Sequence, residues 1–407
     1  MKLLALALLA PAAASGPPDG TDAVALSRWM AAKLTWGTLS TTSTRSNGSQ
    51  VGDAFGNPYS FADVGGVPYI YASNLDASAI DLFTAPDASP IQGGKRERHS
   101  PATLPNTGLA TNATDAACVV GASTFGDPEN PPCARLVLTG AWSKPAAGSD
   151  EYEKAHAALE ARHPYFKELP SDHDFYVAKM TVTGVWLIGA YGGASVVEPE
   201  EYFAAPEPER AAQVAAAAPA PLTSRPWFWN HVAVARWMAE TLDWGVLSTT
   251  STRTEGTAVG DAFGNPYSFA EVGGVPYFYG STLDASMTDA FTGAGASPRA
   301  SLSLSEAELS GDDELSSCRI GAILGDPENP PCARLVLSGA LVNVSGTPEG
   351  AAAWAALVAK HPSFADYPAS HDFFVSKLDV DALFFIDMFG GADYLDPAAY
   401  LANSTTA

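Results

Sequence analysis

Positive charge is scarce in this chain. Lys and Arg number 22 against 45 Asp and Glu, a formal net charge of −23 at pH 7. Such a field repels nucleic-acid phosphates and anionic headgroups, so no nucleic acid and no membrane surface is expected among the partners. Cysteine is nearly absent, with four residues in 407. Long apolar runs are missing too. The stretch Leu3–Ala10 is too short to span a bilayer, and no later segment reaches that length. Lys2 precedes it, Pro11 ends it and small residues follow at Ala12–Ser15, so residues 1–16 read as a secretory signal peptide. The tail LANSTTA carries no retention or GPI signal. Catalytic signatures are lacking as well: there is no Gly-x-Ser-x-Gly elbow, P-loop, Rossmann fingerprint or His-Glu-x-x-His.

What the chain does contain is a copy of itself. The thirteen residues GDPENPPCARLVL stand at Gly126–Leu138 and again at Gly325–Leu337. RWMAAKLTWGTLSTTSTR (Arg28–Arg45) returns as RWMAETLDWGVLSTTSTR (Arg236–Arg253), and VGDAFGNPYSFA stands at Val51–Ala62 and Val259–Ala270. HPYFKELPSDHDFYVAKMTV (His163–Val182) answers HPSFADYPASHDFFVSKLDV (His361–Val380). Length differs mostly between Pro86–Ala117 and Ala294–Ser317 and after Trp142, as expected of surface loops. The repeat unit is domain-sized, so the chain divides into copy one (17–203), an Ala/Pro-rich linker (204–226) and copy two (227–407).

Each copy mixes periodicities. Asp22 precedes an amphipathic stretch, Ala23–Leu34, that reads as a capped helix. Thr35–Thr44, Val67–Ser73 and Cys133–Trp142 read as strands. Asp150–Arg162 reads as a helix stopped by His163-Pro164, because a residue before proline avoids the helical region. His173–Gly193 reads as a hairpin turning near Thr183-Gly184. Antiparallel strands with helices at the rim define an α+β class.

The combination of RWM…WG.LST.ST, the GDPENPPC loop running into a strand, and HP…P.SHDFF..KLDV…D.FGG…L (His361–Leu395) resembles the CREG family of secreted cellular-repressor glycoproteins. That resemblance implies an FMN-binding split β-barrel related to pyridoxamine 5′-phosphate oxidase, here as two tandem barrels. Family members usually carry one such domain and pair as homodimers.

A flavin phosphate needs cations or a glycine-lined helix N-terminus. Where flavin-using split barrels place an Arg after a Gly-x-Pro turn, this chain has Tyr59, Ser60, Phe61 and Ala62, and later Tyr267, Ser268, Phe269 and Ala270. The short helical segments Leu75–Phe83 and Leu283–Phe291 hold no Lys or Arg and two Asp each, Asp76 and Asp81 in the first copy. No cofactor is therefore expected, FMN being the alternative. His163 and His173, like His361 and His371, read as hydrogen-bonded histidines at a strand start. Asp174 and Asp372 adjoin them but point to the opposite strand face. Asp127, Glu129 and Asn130 lack the ligand number of a Ca²⁺ loop and suit a turn. No catalytic or metal residue is assigned.

Cys118 with Cys133 and Cys318 with Cys332 have matched spacing, which suggests one disulfide in each copy, each worth ~3 kcal/mol by chain entropy; two free thiols per copy is the other reading. Sequons stand at Asn47, Asn112, Asn343 and Asn403. These features lead to two expectations of different class. One is a non-enzymatic secreted or endolysosomal glycoprotein that meets an unidentified protein or receptor through its surface. The other is an FMN-dependent oxidoreductase of the pyridoxamine 5′-phosphate oxidase type. The two copies are expected to pack as an intramolecular pseudo-dimer, with Trp227, Phe228 and Trp229 covering apolar surface at or beside the interface.

Overall fold

The computed structural model describes residues 18–84, 99–105, 129, 133–189, 193–208, 225–309, 318, 328, 332–387 and 391–403, with the backbone alone for 99–105. The signal segment 1–16, most of the linker (209–224), Asn112, Cys118, Asp127 and Asn130 lie outside these residues.

The first half runs α1 (Ala23–Lys33), β1 (Trp36–Thr42), β2 (Ala54–Val64), β3 (Val67–Ala72), α2 (Ala77–Phe83), β4 (His99–Pro105), β5 (Arg135–Ser143), α3 (Asp150–Arg162), β6 (Tyr176–Ile188), β7 (Ser195–Val197) and α4 (Pro199–Ala204). Asp22 caps α1 by accepting from the Ala25 amide at 3.0 Å. Ser149 caps α3, whose first turn carries Asp150, Glu151 and Glu153 in favourable alignment with the helix dipole. The strands follow the order β3-β2-β1-β4-β5-β6-β7, and β3 also pairs with β6, so the sheet closes into an antiparallel barrel. β6 pairs with β3 through its first residues and with β7 through its last.

The second half repeats this plan: α5 (His231–Thr241), β8 (Trp244–Thr250), β9 (Ala262–Ser268), β10 (Ala270–Val272), β11 (Val275–Gly280), α6 (Ala285–Phe291), β12 (Arg299–Ser305), β13 (Arg334–Asn343), α7 (Pro348–Lys360), β14 (Phe374–Ile386), β15 (Ala392–Asp393) and α8 (Pro397–Ala402). Its sheet order is β10-β11-β14-β13-β12-β8-β9, with β15 on β14, so β9 and β10 together match β2. Each half is a split β-barrel with flanking helices. Leu136, Leu138, Met180 and Leu187 fill the first interior, and Leu335, Leu337, Leu378 and Phe385 the second.

Two expectations are corrected. His173–Gly193 is not a hairpin: Tyr176–Ile188 is one continuous strand. What looked like a turn is a β-bulge, since Thr139 faces Gly184 while Gly140 faces Val182, leaving Thr183 unpaired in the ladder. Gly140 must be glycine, because a Cβ there would collide with the Thr181 carbonyl oxygen. Nor are Pro86–Ala117 and Ala294–Ser317 mere loops, because β4 and β12 lie inside them and complete the barrels. Pro101 and Pro105 masked the strand pattern of the first.

Several barrel strands are buried on both faces. Ala54–Asp63 of β2 and all of β9 are enclosed. One face meets the barrel interior; the other meets the opposite half. Phe55 and Ala77 pack with Val336 and Phe384, and Val137 and Trp186 pack with Phe263. Ser40 and its counterpart Ser248 share a hydrogen bond of 2.9 Å, and Trp36 stacks near its counterpart Trp244 at 6.3 Å. Positions that meet their own equivalents lie on a local two-fold axis. Gly184 brings β6 against the Gly256 carbonyl of the other half, where a Cβ would stand 2.7 Å away.

The aromatic triplet is also corrected. Trp227 and Trp229 are 69% and 72% exposed, so they cover no interface. Phe228 stacks between them at 5.1 and 4.2 Å. Just before them, Arg225 is the residue that docks, donating at 2.8 Å to both Glu306 and Asp387.

Candidate functional site

The equivalent strand-to-helix corners of the two barrels bring together the residues singled out in the sequence. In the first half the chain leaves β3, and Asp76 caps α2. Its carboxylate accepts from the Ser78 amide at 2.8 Å, from Asn57 Nδ2 at 3.1 Å and from the Tyr59 hydroxyl in a short hydrogen bond. In the second half Asp284 does the same for Ser286, for Asn265 at 2.9 Å and for Tyr267. The cap is what a helix start requires. The tyrosine and asparagine come from β2 and β9, two residues apart and therefore on one strand face.

The opposite half completes each corner. Glu328 Oε2 accepts from the Ser60 amide at 2.8 Å, and Arg334 Nη1 approaches the Pro58 carbonyl at 3.4 Å. Reciprocally, Glu129 Oε2 accepts from the Ser268 amide at 2.9 Å. Burial pushes the Tyr59 hydroxyl well above its ordinary range; Asp76 and Glu328 push the same way, and Arg334 opposes them. Tyr267 is raised by burial, Asp284 and Glu129, against Arg135. Both phenols therefore stay protonated at neutral pH and act as donors.

Asp81 and Asp289, on the inner side of α2 and α6, are almost fully buried. Arg45 grips Asp81 with Nε at 3.1 Å and Nη2 at 3.0 Å, and Thr41 and Thr44 Oγ1 donate at 3.0 and 2.9 Å. Arg253 repeats the fork on Asp289. Each guanidinium also lies over a phenylalanine, Arg45 over Phe55 at 4.3 Å and Arg253 over Phe263 at 4.2 Å. Sequence reasoning missed these arginines, although STTSTR carries one in each copy.

The remaining residues take structural places. His163 and His361 are buried at helix ends, each with Nε2 2.9 Å from a β-strand-side carbonyl, Phe61 and Phe269 respectively. His173 and His371 instead close short 3₁₀ turns before the strand. Asp174 and Asp372 follow them in the left-handed region, φ 47° and 50°, not on a strand face as expected. Cys318 and Cys332 form a disulfide, and Cys133 is also disulfide-bonded. Asn47 and Asn343 are exposed and Asn403 is half-buried. Among the described residues no group of three or more His, Cys, Asp or Glu could hold a metal, and no helix is long and apolar enough to cross a membrane.

Paired antiparallel barrels with flanking helices define the split-barrel class. The CREG β-barrel family model matches residues 18–204 and again residues 226–402, and the chain belongs to that family. Protein CREG1 of Gallus gallus is 30% identical over 208 residues, covering 49% of this chain and 95% of that protein. Protein CREG2 of Homo sapiens is 32% identical over 200 residues, covering 47% of this chain and 59% of that protein. Among solved structures, a heme binding protein from Mycobacterium smegmatis is 20% identical with a TM-score of 0.33, covering 47% of this chain and 62% of that one. A putative pyridoxamine 5′-phosphate oxidase from Listeria innocua is 12% identical with a TM-score of 0.25, covering 40% and 94%.

Proposed function

We propose that this protein is a non-enzymatic secreted or endolysosomal glycoprotein of the CREG family that acts on a protein partner through its surface. Its two halves serve as an intramolecular pseudo-dimer, and the place of a flavin phosphate is taken by its own carboxylates. The observation that carries this reading is the saturation of Asp76. Its oxygens already take the α2 amides, Asn57 and Tyr59, which are donors a phosphate would need. Asp284 repeats the arrangement. Arg45 and Arg253 are committed to the buried Asp81 and Asp289, and Arg334, which faces the first corner from the other half, approaches the Pro58 carbonyl. A dianion brought here would face carboxylates across a short distance in a medium that screens poorly, so FMN does not fit. The reciprocal contacts of Glu328 with Ser60 and Glu129 with Ser268 support the pairing of halves, which fusion makes independent of concentration.

Purified secreted protein is expected to be colourless and to leave the fluorescence of added FMN unchanged. A flavin absorbance band that survives gel filtration at one FMN per half would replace this reading with the oxidoreductase. Light scattering at micromolar concentration is expected to give the mass of one chain. A stable dimer of chains would show that each half pairs outside its own molecule.

A further inference from the structure

The turn after β1 and its counterpart after β8 can be compared position by position. The first reads Ser46-Asn47-Gly48-Ser49 and the second Thr254-Glu255-Gly256-Thr257. Both glycines have positive φ, 72° and 71°. Both are pressed against an aromatic of the opposite half. A Cβ on Gly48 would stand 2.9 Å from Phe384 Cβ and 2.9 Å from Tyr394 Cδ1, and one on Gly256 would stand 2.9 Å from Trp186 Cβ. Neither turn therefore has room for another residue there. Outside that shared contact the two turns differ. The first presents Asn47, exposed and within the sequon Asn-Gly-Ser; the second presents Glu255, exposed and no acceptor. Beside Gly48 lies Tyr394, 46% exposed, with the edge-on Phe384 ring at 6.2 Å. The matching position in the first half, opposite Trp186 in the ladder, is Val196. A glycan acceptor and an open aromatic ring thus stand together at one turn, and both are missing from its twin.

We propose that a glycan on Asn47 lays its first N-acetylglucosamine on the exposed ring of Tyr394, so that a sugar carried by the first half covers an aromatic of the second. The proposal rests on the glycosylation and the pairing of halves proposed above. Neighbouring Cα atoms are ~3.8 Å apart, so the sugar starts one residue from the glycine that touches the ring. Arg45 Nη1 holds the Asn47 carbonyl at 3.2 Å, and the Tyr394 amide donates to Asp393 Oδ1 at 2.9 Å, which fixes the backbone on both sides of the contact. A pyranose chair turns C–H bonds to its faces and keeps its hydroxyls at the rim. Stacking on a phenol ring buries apolar area while the hydroxyls stay in water. An uncharged sugar is also a ligand that a chain of net charge −23 does not repel. Attachment joins Asn47 Nδ2 to C1 of the sugar as the bond from C1 to a lipid-linked diphosphate breaks, one amide proton passing to the diphosphate. The Ser49 hydroxyl is buried 2.6 Å from Ser43 Oγ, so the sugar goes on before this turn closes.

The test uses the full chain secreted from cells fed carbon-13-labelled glucosamine, as wild type, Asn47→Gln, Tyr394→Leu and Tyr394→Phe. Glycopeptide mass spectrometry is expected to find the sugar on Asn47; a bare Asn47 overturns the proposal together with glycosylation at that position. Compact small-angle scattering is expected of the wild type, and an extended chain defeats the pairing of halves and the proposal with it. Given a compact, glycosylated chain, carbon–proton spectra identify the Asn47 sugar by its loss in Asn47→Gln. Its ring protons are expected upfield in wild type and Tyr394→Phe, and displaced downfield in Tyr394→Leu, where no aromatic ring shields them. Release of the intact Asn47 glycan by peptide-N-glycosidase under native conditions is expected to be about fivefold faster in Tyr394→Leu than in wild type, the size of one aromatic contact. Sugar resonances that coincide in wild type and Tyr394→Leu overturn the stacking while leaving glycosylation and pairing in place. So does a Tyr394→Phe protein that behaves as Tyr394→Leu, because the phenylalanine keeps the ring face. Tyr394 is nearly half exposed, so its replacement leaves the barrel packing intact.

Discussion

Phe55 offers a sharp test of how the halves hold each other. It belongs to β2 of the first half but is 0% exposed, enclosed with Ala77 by Val336 and Phe384 of the second. Its ring meets Phe384 edge-on at 5.4 Å and 87°, and the Arg45 guanidinium covers its other side at 4.3 Å. Truncating a fully buried phenylalanine removes its transfer energy and leaves a cavity, together about 3–5 kcal/mol. An edge-to-face pair adds about 0.5–1.5 kcal/mol beyond buried area. Four proteins, wild type, Phe55→Ala, Phe384→Ala and the double variant, define a cycle in urea denaturation. Phe55→Ala is expected to lower stability by about 3–5 kcal/mol. The double variant should fall short of the sum of the singles by about 0.5–1.5 kcal/mol, because the second truncation finds the pair already broken. Strict additivity within ~0.3 kcal/mol would refute contact between the halves at this point. So would a single-variant loss below ~1 kcal/mol, because a ring exposed in separated barrels has little to lose.

Arg45→Ala strands the buried Asp81 carboxylate and should cost about 3–5 kcal/mol, with Asp81→Asn on that background recovering part of the loss; equal stability of Arg45→Ala and wild type in denaturation would contradict the ion-pair geometry. Burial raises the Glu308 carboxyl well above its ordinary range, Asp243 adding to the rise while the Ser305 amide and Lys360 oppose it. Its contribution is therefore fullest below the unfolded value near 4.3 and is lost as pH climbs through the raised folded value. Glu308→Gln should accordingly raise the urea midpoint at pH 7 and leave it unchanged near pH 4; a variant with an unaltered pH profile would show that the group ionises freely. Asn47 and Asn343 are exposed, and Asn343 Oδ1 takes the Ser345 amide at 2.9 Å in an open turn, so Asn47→Gln and Asn343→Gln should each remove one PNGase-sensitive increment from the secreted protein; an unchanged mass in both would dismiss glycosylation at these positions.

The barrel elements were legible wherever local chemistry marks them. Asp22 capped α1, and His163-Pro164 stopped α3 where the proline rule places the stop. Legibility failed where the deciding contact comes from the other copy. Thr183-Gly184 has the composition of a turn, yet the glycine serves an approach to the Gly256 carbonyl, which no local pattern announces. Glu129 and Glu328 look like turn residues because the strand amides they serve lie 139 and 268 positions away. The tryptophans at 227 and 229 misled in the opposite sense: apolar character predicts burial on average, and these two are exposed beside an arginine that is tied down. The carboxylates of α2 were visible in sequence. Their neutralisation by Arg45 was not, since 36 positions separate the partners.

The crossed contacts of Glu129 and Glu328 bear on how this chain can change over time. Position 328 answers to position 60, and position 129 to position 268, so neither copy keeps house for itself. An ordinary duplicate can drift while its twin carries on the task; here a change at either glutamate would be felt by a strand of the twin. Latitude exists at the rim. Arg299 bridges Asp53 and Asp381, whereas the same ladder position in the first copy, opposite Ala141 as Arg299 is opposite Ala340, holds His99. Along GDPENPPCARLVL, the stretch that carries both glutamates, the two copies spell the same word.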